Sequence, residues 1–446
     1  MMKNAIVFGA GLSGHGAKEL LEKNGYNVFL VDDKTGIKSE EGIGLIDKHE
    51  IEFIVKSPGI PWDVELLKKA DSLNINIISE IDLAYRYMDK KTKIISITGT
   101  NGKTTTATKI YELLKAAGFN AELAGNAGFS FAKLVSDGKK PDYVVLELSS
   151  YQLENDPEIH SYIAGIINLT PDHLTRYNSL DDYYKTKFNI FDHQNEDDYA
   201  LINLDDKEIL RIISENKEID DKIKAERIFL SGEKKADVFQ KDGIIYITDN
   251  KSQEIPLMKT SELSLKGKHN LENILFIISV GMILNVDLEI IKSFLSSTKP
   301  LEHRLENFFE KGKTVFINDS KGTNSESTIK AIEAFDKSTV LICGGYDKQA
   351  SNKDLINKIT EKVEFVYLIG QTSDILEKEL KDQKYTRYKN LKTLENVLND
   401  IKDNLDFSKE QVVLFSPATS SFDQFKNFED RGRIFKELTN QIIGDR

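Results

Sequence analysis

Residues Lys93–Thr105 read KIISITGTNGKTT, an apolar run that stops at a small, glycine-rich turn. A lysine and two threonines follow the turn, and the pattern from Ala107 to Leu114 is helical. These features predict a strand, a phosphate-binding loop and a helix. Glycines let backbone N–H groups close round phosphate oxygens, and the helix N-terminus adds partial positive charge. A glycine-rich turn with a surface lysine is the alternative interpretation.

This loop also offers side chains to a bound nucleotide. We expect Lys103 to reach the β- and γ-phosphates and the Thr104 hydroxyl to bind Mg²⁺. The usual pattern of such loops is not fully met, because Ile97 occupies its first glycine position and the glycine falls at Gly99 instead.

Composition narrows the class of protein. The chain has 446 residues, 40% of them hydrophobic and 30% charged, so we expect a globular protein with two to four domains. A single cysteine, Cys343, excludes an internal disulfide, and a net charge of -12 argues against nucleic-acid and membrane partners. The longest apolar block, Ile274–Leu284, is too short to span a bilayer and predicts a buried helix. The apolar run Ala5–Phe8 before glycines predicts a strand rather than a signal peptide, so the cytoplasm is the expected compartment.

Strands alternate with helical patterns in three successive segments. The predicted fold class is therefore α/β with mostly parallel sheets. We predict a Rossmann-like N-terminal domain over residues 1–92, a central P-loop mononucleotide-binding domain over 93–299 and a Rossmann-like C-terminal domain over 300–446. Ligand sites are expected at the carboxyl ends of the strands.

The N-terminal segment carries a second glycine-rich turn, Gly9–Gly14, after the strand pattern Lys3–Phe8. Asp32 follows about twenty residues later, which matches a dinucleotide-binding fingerprint and, taken alone, favours a nicotinamide-dependent dehydrogenase. Glycines that serve packing only are the alternative. The pattern predicts a phosphorylated ligand without identifying it as NAD.

Polar side chains also end the strands of the central segment. Glu147 closes an apolar strand, where it is either a Mg²⁺ ligand or a solvated carboxylate. His173, beside Asp172, is either a site residue or a packing residue. Asn270 opens the apolar helix, where it is either its N-cap or a contact for adenine. Lys187 has the pattern of a plain helix surface residue.

Three polar loops follow strands in the C-terminal segment. They are Asn318–Asn324, Gly344–Lys348 and Ser416–Phe425. Because the carboxyl ends of parallel strands meet at one edge of a sheet, these loops are expected to build one site.

Several of these segments together resemble the Mur ligase family. The matching segments are Thr98–Thr104, Glu147–Glu154, Asp172-His173, Gly267–Asn270, Asn318–Lys321, Ser416–Ala418 and Asp423–Gly432. They span nearly the whole chain in the order of the family. The last of them is most similar to the members that add D-glutamate. The Asp-Asn-Pro-Arg motif of the members that add lysine or diaminopimelate does not occur.

The resemblance implies ATP-driven amide formation. A carboxylate of UDP-N-acetylmuramoyl-L-alanine would attack the γ-phosphate of ATP, and the amine of D-glutamate would then displace phosphate from the acyl phosphate. The family further implies two Mg²⁺ ions, carbamylation of Lys187, and a monomer with no nucleic-acid or membrane partner.

Roles of particular residues also follow from the resemblance. The expected catalytic residues are Lys103, His173 and Lys187. The expected Mg²⁺ ligands are Thr104, Glu147, His173 and Lys187. The expected ATP contacts are Gly99, Thr100, Asn101, Gly102, Lys103, Thr104, Thr105, Asn270, Asn273, Arg304, Asp319 and Lys321. The expected substrate contacts are Leu12, Ser13, Asp32, Lys34, Ser57, Gly59, Asn126, Gln152, Thr323, Lys348, Ser421, Phe422 and Phe428.

Other functions compete with this one. The nearest is another amide ligase of the same superfamily, either a different Mur ligase or a folylpolyglutamate synthase. A nicotinamide oxidoreductase would leave the phosphate loop, Glu147 and His173 unexplained. A non-catalytic nucleotide sensor would bind ATP without turnover.

Overall fold

Apolar strands that alternate with amphipathic helices form three sheets, which confirms the predicted α/β class. The structure is a computed structural model that describes residues 3–126, 129–154, 157–171, 176–248, 252–335, 337–347 and 352–444, without the side chains at 268, 269 and 326. By the contacts between residues the chain divides into two units, residues 1–297 and 298–446. The predicted division into three domains stays a prediction. No helix in the described ranges is long and apolar enough to cross a membrane.

The first sheet has four parallel strands in the order β2-β1-β3-β4. Its strands are β1 (Lys3–Phe8), β2 (Tyr26–Val31), β3 (Ile51–Lys56) and β4 (Asn76–Ser79). Its helices are α1 (Leu12–Lys23), α2 (Ser39–Lys48), α3 (Glu65–Ser72) and α4 (Glu80–Tyr87).

The second sheet has nine strands in the order β13-β12-β11-β10-β9-β8-β5-β7-β6. Its strands are β5 (Lys93–Thr98), β6 (Ala121–Gly125), β7 (Tyr143–Glu147), β8 (Ile163–Ile166), β9 (Tyr199–Asn203), β10 (Glu226–Ser231), β11 (Val238–Lys241), β12 (Ile244–Thr248) and β13 (Glu254–Lys259). Its helices are α5 (Lys103–Ala116), α6 (Phe131–Ser136), α7 (Leu180–Phe188), α8 (Lys207–Glu215), α9 (Lys217–Lys222), α10 (Lys268–Ile283) and α11 (Leu288–Ser297). Among the described strands of this sheet, the pairs β11–β12 and β12–β13 are antiparallel and the other pairs are parallel.

The third sheet, in the second unit, has the order β14-β15-β19-β16-β17-β18. Its strands are β14 (Glu306–Lys311), β15 (Thr314–Asn318), β16 (Ser338–Cys343), β17 (Val363–Ile369), β18 (Tyr388–Lys392) and β19 (Gln411–Phe415). Its helices are α12 (Ser325–Glu333), α13 (Lys353–Lys362), α14 (Ser373–Asp382), α15 (Leu394–Asn404) and α16 (Phe428–Ile442). All its pairs are parallel except β14–β15.

The helix α10 is apolar nearly all round, and its residues Ile274–Ile278 are almost fully buried. It packs against α5 and the second sheet, and the sheet leaves room for it at Gly165, where a Cβ would lie 2.7 Å from a ring carbon of Phe276. The predicted buried helix is therefore confirmed. Each such apolar side chain contributes about 1.5–3 kcal/mol by leaving water, so this packing holds the phosphate loop firmly on its sheet.

The first sheet docks on the second through α1, α4 and α6. The buried Glu80 carboxylate accepts hydrogen bonds from the Ser130 hydroxyl and the Ala132 N–H, both at 2.6 Å. Burial raises the pKa of Glu80, and these donors oppose that rise. At Gly16 of α1 a Cβ would lie 2.1 Å from the Ser130 oxygen, so only glycine allows this approach. The contact fixes the N-terminal sheet against the central one.

Candidate active site

The phosphate loop lies between β5 and α5, and β5 is a central strand with β7 and β8 on its two sides. Gly102 caps α5 with a left-handed φ of +82°, and a Cβ there would lie 2.3 Å from the Asn273 side-chain oxygen. Glycine is therefore required both by conformation and by space. The result is a tight loop at the carboxyl edge of the sheet and at a helix N-terminus, as predicted.

Two lysines converge on one carbonyl of this loop. Lys103 Nζ donates to the Gly99 oxygen at 2.9 Å and to the Thr100 oxygen at 2.7 Å. Lys187 Nζ, from α7, donates to the same Gly99 oxygen at 2.9 Å. The Lys187 side chain is only 1% exposed, so the plain helix-surface interpretation of this lysine is wrong. Two ammonium groups beside a helix N-terminus form a strong site for anions.

Two asparagines, Asn168 and Asn273, hydrogen-bond to the phosphate loop and to the start of α5. The Thr100 N–H donates to the Asn168 backbone oxygen at 2.9 Å, and the Asn101 N–H donates to its side-chain oxygen, also at 2.9 Å. Asn273 accepts from the Thr106 hydroxyl at 3.1 Å. Sequence reasoning assigned no role to Asn168, although its place after the apolar strand β8 was the available signal.

Asn270 lies inside α10, and its amide donates to the Lys266 carbonyl at 2.8 Å. The interpretation of Asn270 as the N-cap is wrong, because the helix starts at Lys268 and Gly267 occupies the cap with φ +97°. A contact between Asn270 and adenine stays a prediction.

Glu147 ends β7 and is 1% exposed. One carboxylate oxygen accepts from the Asn126 amide at 2.8 Å, whereas Oε2 is buried and has no hydrogen-bond partner among the described residues. A buried carboxylate oxygen without a donor is costly unless a cation neutralises it. Thr104 begins the first turns of the neighbouring α5, so these residues fit the oxygen ligands of Mg²⁺. His173, the further predicted ligand, lies outside the described residues.

The predicted sugar-nucleotide residues of the first unit lie at the carboxyl end of β1 to β3. Leu12 is 74% exposed at the start of α1, and the Ser57 hydroxyl donates to the Gly9 carbonyl at 3.2 Å. Gly59 and Lys34 are exposed, and Ser13 is partly buried. Apolar and polar side chains are therefore both exposed to solvent at this end of the sheet.

Asp32 is engaged within its own turn. Its carboxylate accepts from the backbone N–H groups of Ala10 and Lys34, each at 2.9 Å, and of Thr35 at 3.0 Å. These backbone donors, Ala10 first, lower the pKa of Asp32 to about 2. The turn therefore carries a fixed negative charge beside the glycine-rich loop, at the place where a dinucleotide-binding fold has the carboxylate that binds a ribose hydroxyl.

Gln152 is 3% exposed and belongs to a short helical turn, Ser150–Gln152. Its side-chain oxygen accepts from the backbone N–H and the hydroxyl of Ser149, both at 3.0 Å. This capping role was not predicted. A contact between Gln152 and substrate stays a prediction.

The second unit brings the predicted loops together at the edge formed by β15, β19 and β16. Asp319 is 7% exposed and accepts from the Ser416 hydroxyl at 2.7 Å, and burial raises its pKa to about 6. Lys321 Nζ lies 4.7 Å from the centre of the Phe428 ring, and the Tyr346 N–H donates to the Ser420 carbonyl at 2.9 Å.

The remaining predicted residues of this unit differ in exposure. Phe422 is 68% exposed and Ser421 is buried, while Arg304 and Thr323 are partly buried. Lys348 lies outside the described residues. The structure thus places an exposed aromatic ring beside buried polar groups at one edge.

Arg431 is a further residue of this edge that sequence reasoning missed. It is fully buried and donates to the hydroxyl and carbonyl oxygens of Ser320 at 3.0 and 2.8 Å, and to the carbonyls of Thr419 and Ser420 at 3.0 Å each. Burial lowers its pKa to about 10. Arg431 ties the loop after β15 to the loop after β19, and its place in the segment Asp423–Gly432 was the available signal.

The comparisons with known proteins agree with this geometry. The Mur ligase middle domain matches residues 97–281. The UDP-N-acetylmuramoylalanine--D-glutamate ligase of Fusobacterium nucleatum subsp. nucleatum is 47% identical over 99% of this chain and its own whole length. The ligase of the same name from Alkaliphilus oremlandii is 34% identical over 99% of this chain and 98% of its own length.

Solved structures share the fold at lower identity. MurC of Thermotoga maritima has a TM-score of 0.60 at 17% identity, and covers 99% of this chain and 100% of its own. MurF of Acinetobacter baumannii has a TM-score of 0.63 at 18% identity, and covers 97% of this chain and 93% of its own. The chain therefore belongs to the Mur ligase family, in the group of UDP-N-acetylmuramoylalanine--D-glutamate ligases.

Proposed function

We propose that this chain joins D-glutamate to UDP-N-acetylmuramoyl-L-alanine at the expense of ATP, releasing ADP and phosphate. The carboxylate of the sugar nucleotide attacks the γ-phosphorus of ATP, and ADP leaves. The D-glutamate nitrogen then attacks the acyl carbon of the acyl phosphate, phosphate leaves with the bonding electrons, and the amine loses a proton. ATP-dependent ligation by this chain follows from its family membership.

The observation that carries the proposal is the position of Lys103, whose ammonium group donates to the Gly99 and Thr100 carbonyls of the phosphate loop at the N-terminus of α5. Attack of one anion on another demands that the negative charge be neutralised where it accumulates. Lys103 would hold the β- and γ-phosphates, and the N-terminus of α5 would add its partial charge. Asn168 accepts the Thr100 and Asn101 N–H groups and Asn273 accepts the Thr106 hydroxyl, so the two asparagines support the shape of the loop that would receive the phosphates.

Glu147 and Thr104 are the described residues that would hold Mg²⁺, together with the predicted His173. A bound Mg²⁺ would neutralise charge on the phosphate oxygens during transfer. The buried Glu147 Oε2, which has no hydrogen-bond donor among the described residues, supports this assignment. The amide of Asn126 orients the other oxygen.

Lys187 would act as a carbamate in the same site. Its neutral amine adds to CO₂ with loss of a proton, which exchanges a cation for an anion on a long arm. Two observations support this step: the side chain is 1% exposed, and its nitrogen is fixed beside the phosphate loop. A buried ammonium is costly, whereas a carbamate beside a divalent cation is compensated.

Each substrate has its own proposed set of residues. The residues proposed for the sugar nucleotide are Leu12, Ser13, Asp32, Lys34, Ser57, Gly59, Asn126 and Gln152. Lys348 would bind a carboxylate of D-glutamate, with Thr323, Ser421, Phe422 and Phe428 around it. Asn270, Arg304, Asp319 and Lys321 would contact the rest of ATP. Action as a monomer in the cytoplasm, without nucleic-acid or membrane partners, belongs to the same proposal.

Phosphate release from ATP tests the proposal directly. The assay contains Mg²⁺ and UDP-N-acetylmuramoyl-L-alanine, and compares D-glutamate, L-glutamate, L-lysine and diaminopimelate. We expect release with D-glutamate alone. Release with another amino acid would contradict the proposed amino-acid specificity but keep the ligase chemistry, and no release with any of them would contradict the reaction.

A further inference from the structure

An ion pair between Arg176 and Glu154 lies where the first sheet meets the second. The Glu154 carboxylate accepts from Arg176 Nε at 3.1 Å and Nη2 at 2.8 Å, and from the indole N–H of Trp62 at 2.9 Å. The Arg176 and Glu154 side chains are only 15% and 11% exposed. Such a charge-assisted, nearly buried pair has one well-defined geometry.

The same arginine holds a loop of the N-terminal sheet. Arg176 Nη2 also donates to the carbonyl of Ile60 at 3.2 Å, and lies 3.5 Å from that of Pro58. From the other side, Lys56 Nζ donates to the Ile60 carbonyl at 2.8 Å and lies 4.8 Å from the centre of the Trp62 ring. The loop Ser57–Ile60 is therefore held between two cations whose positions depend on Glu154 and Trp62.

A column of aromatic rings continues from Arg176 to the phosphate loop. The guanidinium lies 4.7 Å from the centre of the Tyr151 ring. This ring stacks on the Tyr177 ring, with 6.4 Å between the two ring centres. The centres of the Tyr177 and Tyr183 rings are 5.3 Å apart, and the Tyr183 hydroxyl lies 3.2 Å from the Thr100 hydroxyl. Packed rings of this kind transmit displacement because the interior has little free volume.

We propose that Arg176 and Glu154 are positioning residues that set the loop Ser57–Ile60 relative to the phosphate loop. The inference rests on the proposed function, in which Ser57 and Gly59 hold the sugar nucleotide and Lys103 holds the γ-phosphate. The carboxylate that attacks belongs to the molecule held at the first loop, so the spacing of the two loops decides whether it reaches the phosphorus. An error of about 1 Å in such a spacing is enough to slow a reaction strongly.

The chain offers a matched control pair across the same junction. Arg86 of α4 donates through Nε to the Glu158 carboxylate at 2.8 Å, so it too joins the first sheet to the central segment. In the hydrogen bonds of the described residues, this pair does not touch the loop Ser57–Ile60. A pair that merely packed the two sheets together would behave like Arg86–Glu158, whereas a positioning pair would not.

The experiment compares Arg176→Ala, Arg176→Lys, Trp62→Phe and the control Arg86→Ala with the unaltered full-length protein. Calorimetry gives dissociation constants for UDP-N-acetylmuramoyl-L-alanine and for ADP, and steady-state rates give kcat. We expect Arg176→Ala to weaken sugar-nucleotide binding about tenfold and to lower kcat about tenfold, because a charged hydrogen-bond donor is lost. Trp62→Phe keeps an aromatic ring but loses the indole N–H that donates to Glu154. It should weaken sugar-nucleotide binding and lower kcat by less than Arg176→Ala does.

Other readouts separate positioning from packing. The dissociation constant for ADP should stay within about twofold of that of the unaltered protein in every variant. In Arg86→Ala the dissociation constants for both ligands and kcat should stay within about twofold as well. Trp62 is the only tryptophan in the chain, so its fluorescence reports on this site without a label. Arg176→Ala should change that emission in the absence of ligands, and Arg176→Lys should restore part of the sugar-nucleotide affinity.

Three outcomes would overturn the inference. The first is unchanged sugar-nucleotide affinity and kcat in Arg176→Ala, and the second is an equal loss in Arg86→Ala. If Arg176→Ala does not fold, the third is unchanged affinity and kcat in both Trp62→Phe and Arg176→Lys. A wild-type protein that binds ADP but no sugar nucleotide would instead remove the proposed function, and the positioning role with it.

Discussion

The two glycine-rich loops of the first unit have similar sequence patterns but opposite electrostatic environments. Gly9–Gly14 joins β1 to α1, and Gly99–Thr104 joins β5 to α5. In the first loop the Ala10 N–H donates to the Asp32 carboxylate, so this loop lies beside a negatively charged side chain of the protein. In the second loop the ammonium groups of Lys103 and Lys187 converge on one carbonyl.

The difference shows that a glycine pattern identifies a tight turn rather than a ligand. In the first loop the glycines are needed for packing, since a Cβ at Gly14 would lie 1.8 Å from the Gly9 carbonyl oxygen. The ligand depends on the charges that other elements bring to the turn: β2 brings a carboxylate to the first loop, whereas α7 brings a lysine to the second. Family membership agrees, because it places the chain among ligases rather than nicotinamide oxidoreductases.

The largest effect is expected from Lys103→Ala. The loss of this ammonium leaves the β- and γ-phosphates without their main cationic side chain, and turnover should fall by about 10³-fold. Steady-state phosphate release measures the change. Lys115→Ala, at the exposed end of the same helix, is the control and should keep normal turnover. Near-normal rates in Lys103→Ala would remove the contrast between the two loops.

The next effect is expected from Lys187→Ala. Turnover should fall by about 10²-fold, because the site loses the proposed carbamate. Acetate or propionate should restore part of the rate by occupying the vacated volume with a carboxylate. The control is Lys185→Ala on the same helix, which should need no rescue. Slow turnover without rescue by either acid would contradict the carbamate while keeping Lys187 in the site.

Glu147→Gln should separate activity from stability. Half-maximal activity should require about tenfold more Mg²⁺, because one negatively charged ligand is lost. Without Mg²⁺, the melting temperature should rise by about 1–2 °C, because a neutral amide replaces a buried negative charge, one oxygen of which has no donor among the described residues. The control Glu122→Gln removes an ion pair with Lys139 and should leave the Mg²⁺ requirement unchanged. A melting temperature that falls in Glu147→Gln would assign the carboxylate a structural role.

Local sequence patterns were sufficient for the sheets, the phosphate loop and the buried helix α10. Each depends on residues close in the chain: an apolar run, a glycine turn, a helical period. The cap of α10 was not predictable in the same way. A positive φ at Gly267 fixes the helix start, and backbone conformation at one glycine cannot be read from an asparagine that follows it.

The contacts that sequence reasoning missed join distant residues. Arg431 meets Ser320 across 111 positions, and Asn168 meets Asn101 across 67. Arg176 reaches Ile60 across 116 positions. Nothing local marks such a residue as buried, since arginine and asparagine are usually exposed, and only the arrangement of strands brings the partners together. Local patterns predicted site roles for Lys103 and Thr104, and the family resemblance supplied most of the other predicted site residues. The structure added residues that support them, such as Asn168 and Arg431.

The smallest effect is expected from Asp32→Asn, which changes the charge of the first loop. The folded pKa of about 2 lies below the ordinary value of 3.8, so ionised Asp32 stabilises the folded state above about pH 4. This contribution is lost as the pH falls from about 4 towards 2. Because the amide keeps an acceptor oxygen but loses the charge that strengthens these backbone hydrogen bonds, the variant should be less stable by about 1 kcal/mol at pH 7. Urea unfolding at pH 7, 5 and 3 measures the difference.

The control for this pH dependence is Asp71→Asn, an exposed carboxylate at the end of α3. Its stability should follow that of the unaltered protein at every pH. The gap between Asp32→Asn and the unaltered protein should narrow at pH 3, because the Asp32 carboxyl of the unfolded chain is then mostly protonated and folding has to release that proton. A gap that stays constant with pH would mean that Asp32 acts by shape alone. The first loop would then carry no fixed charge that distinguishes it from the second.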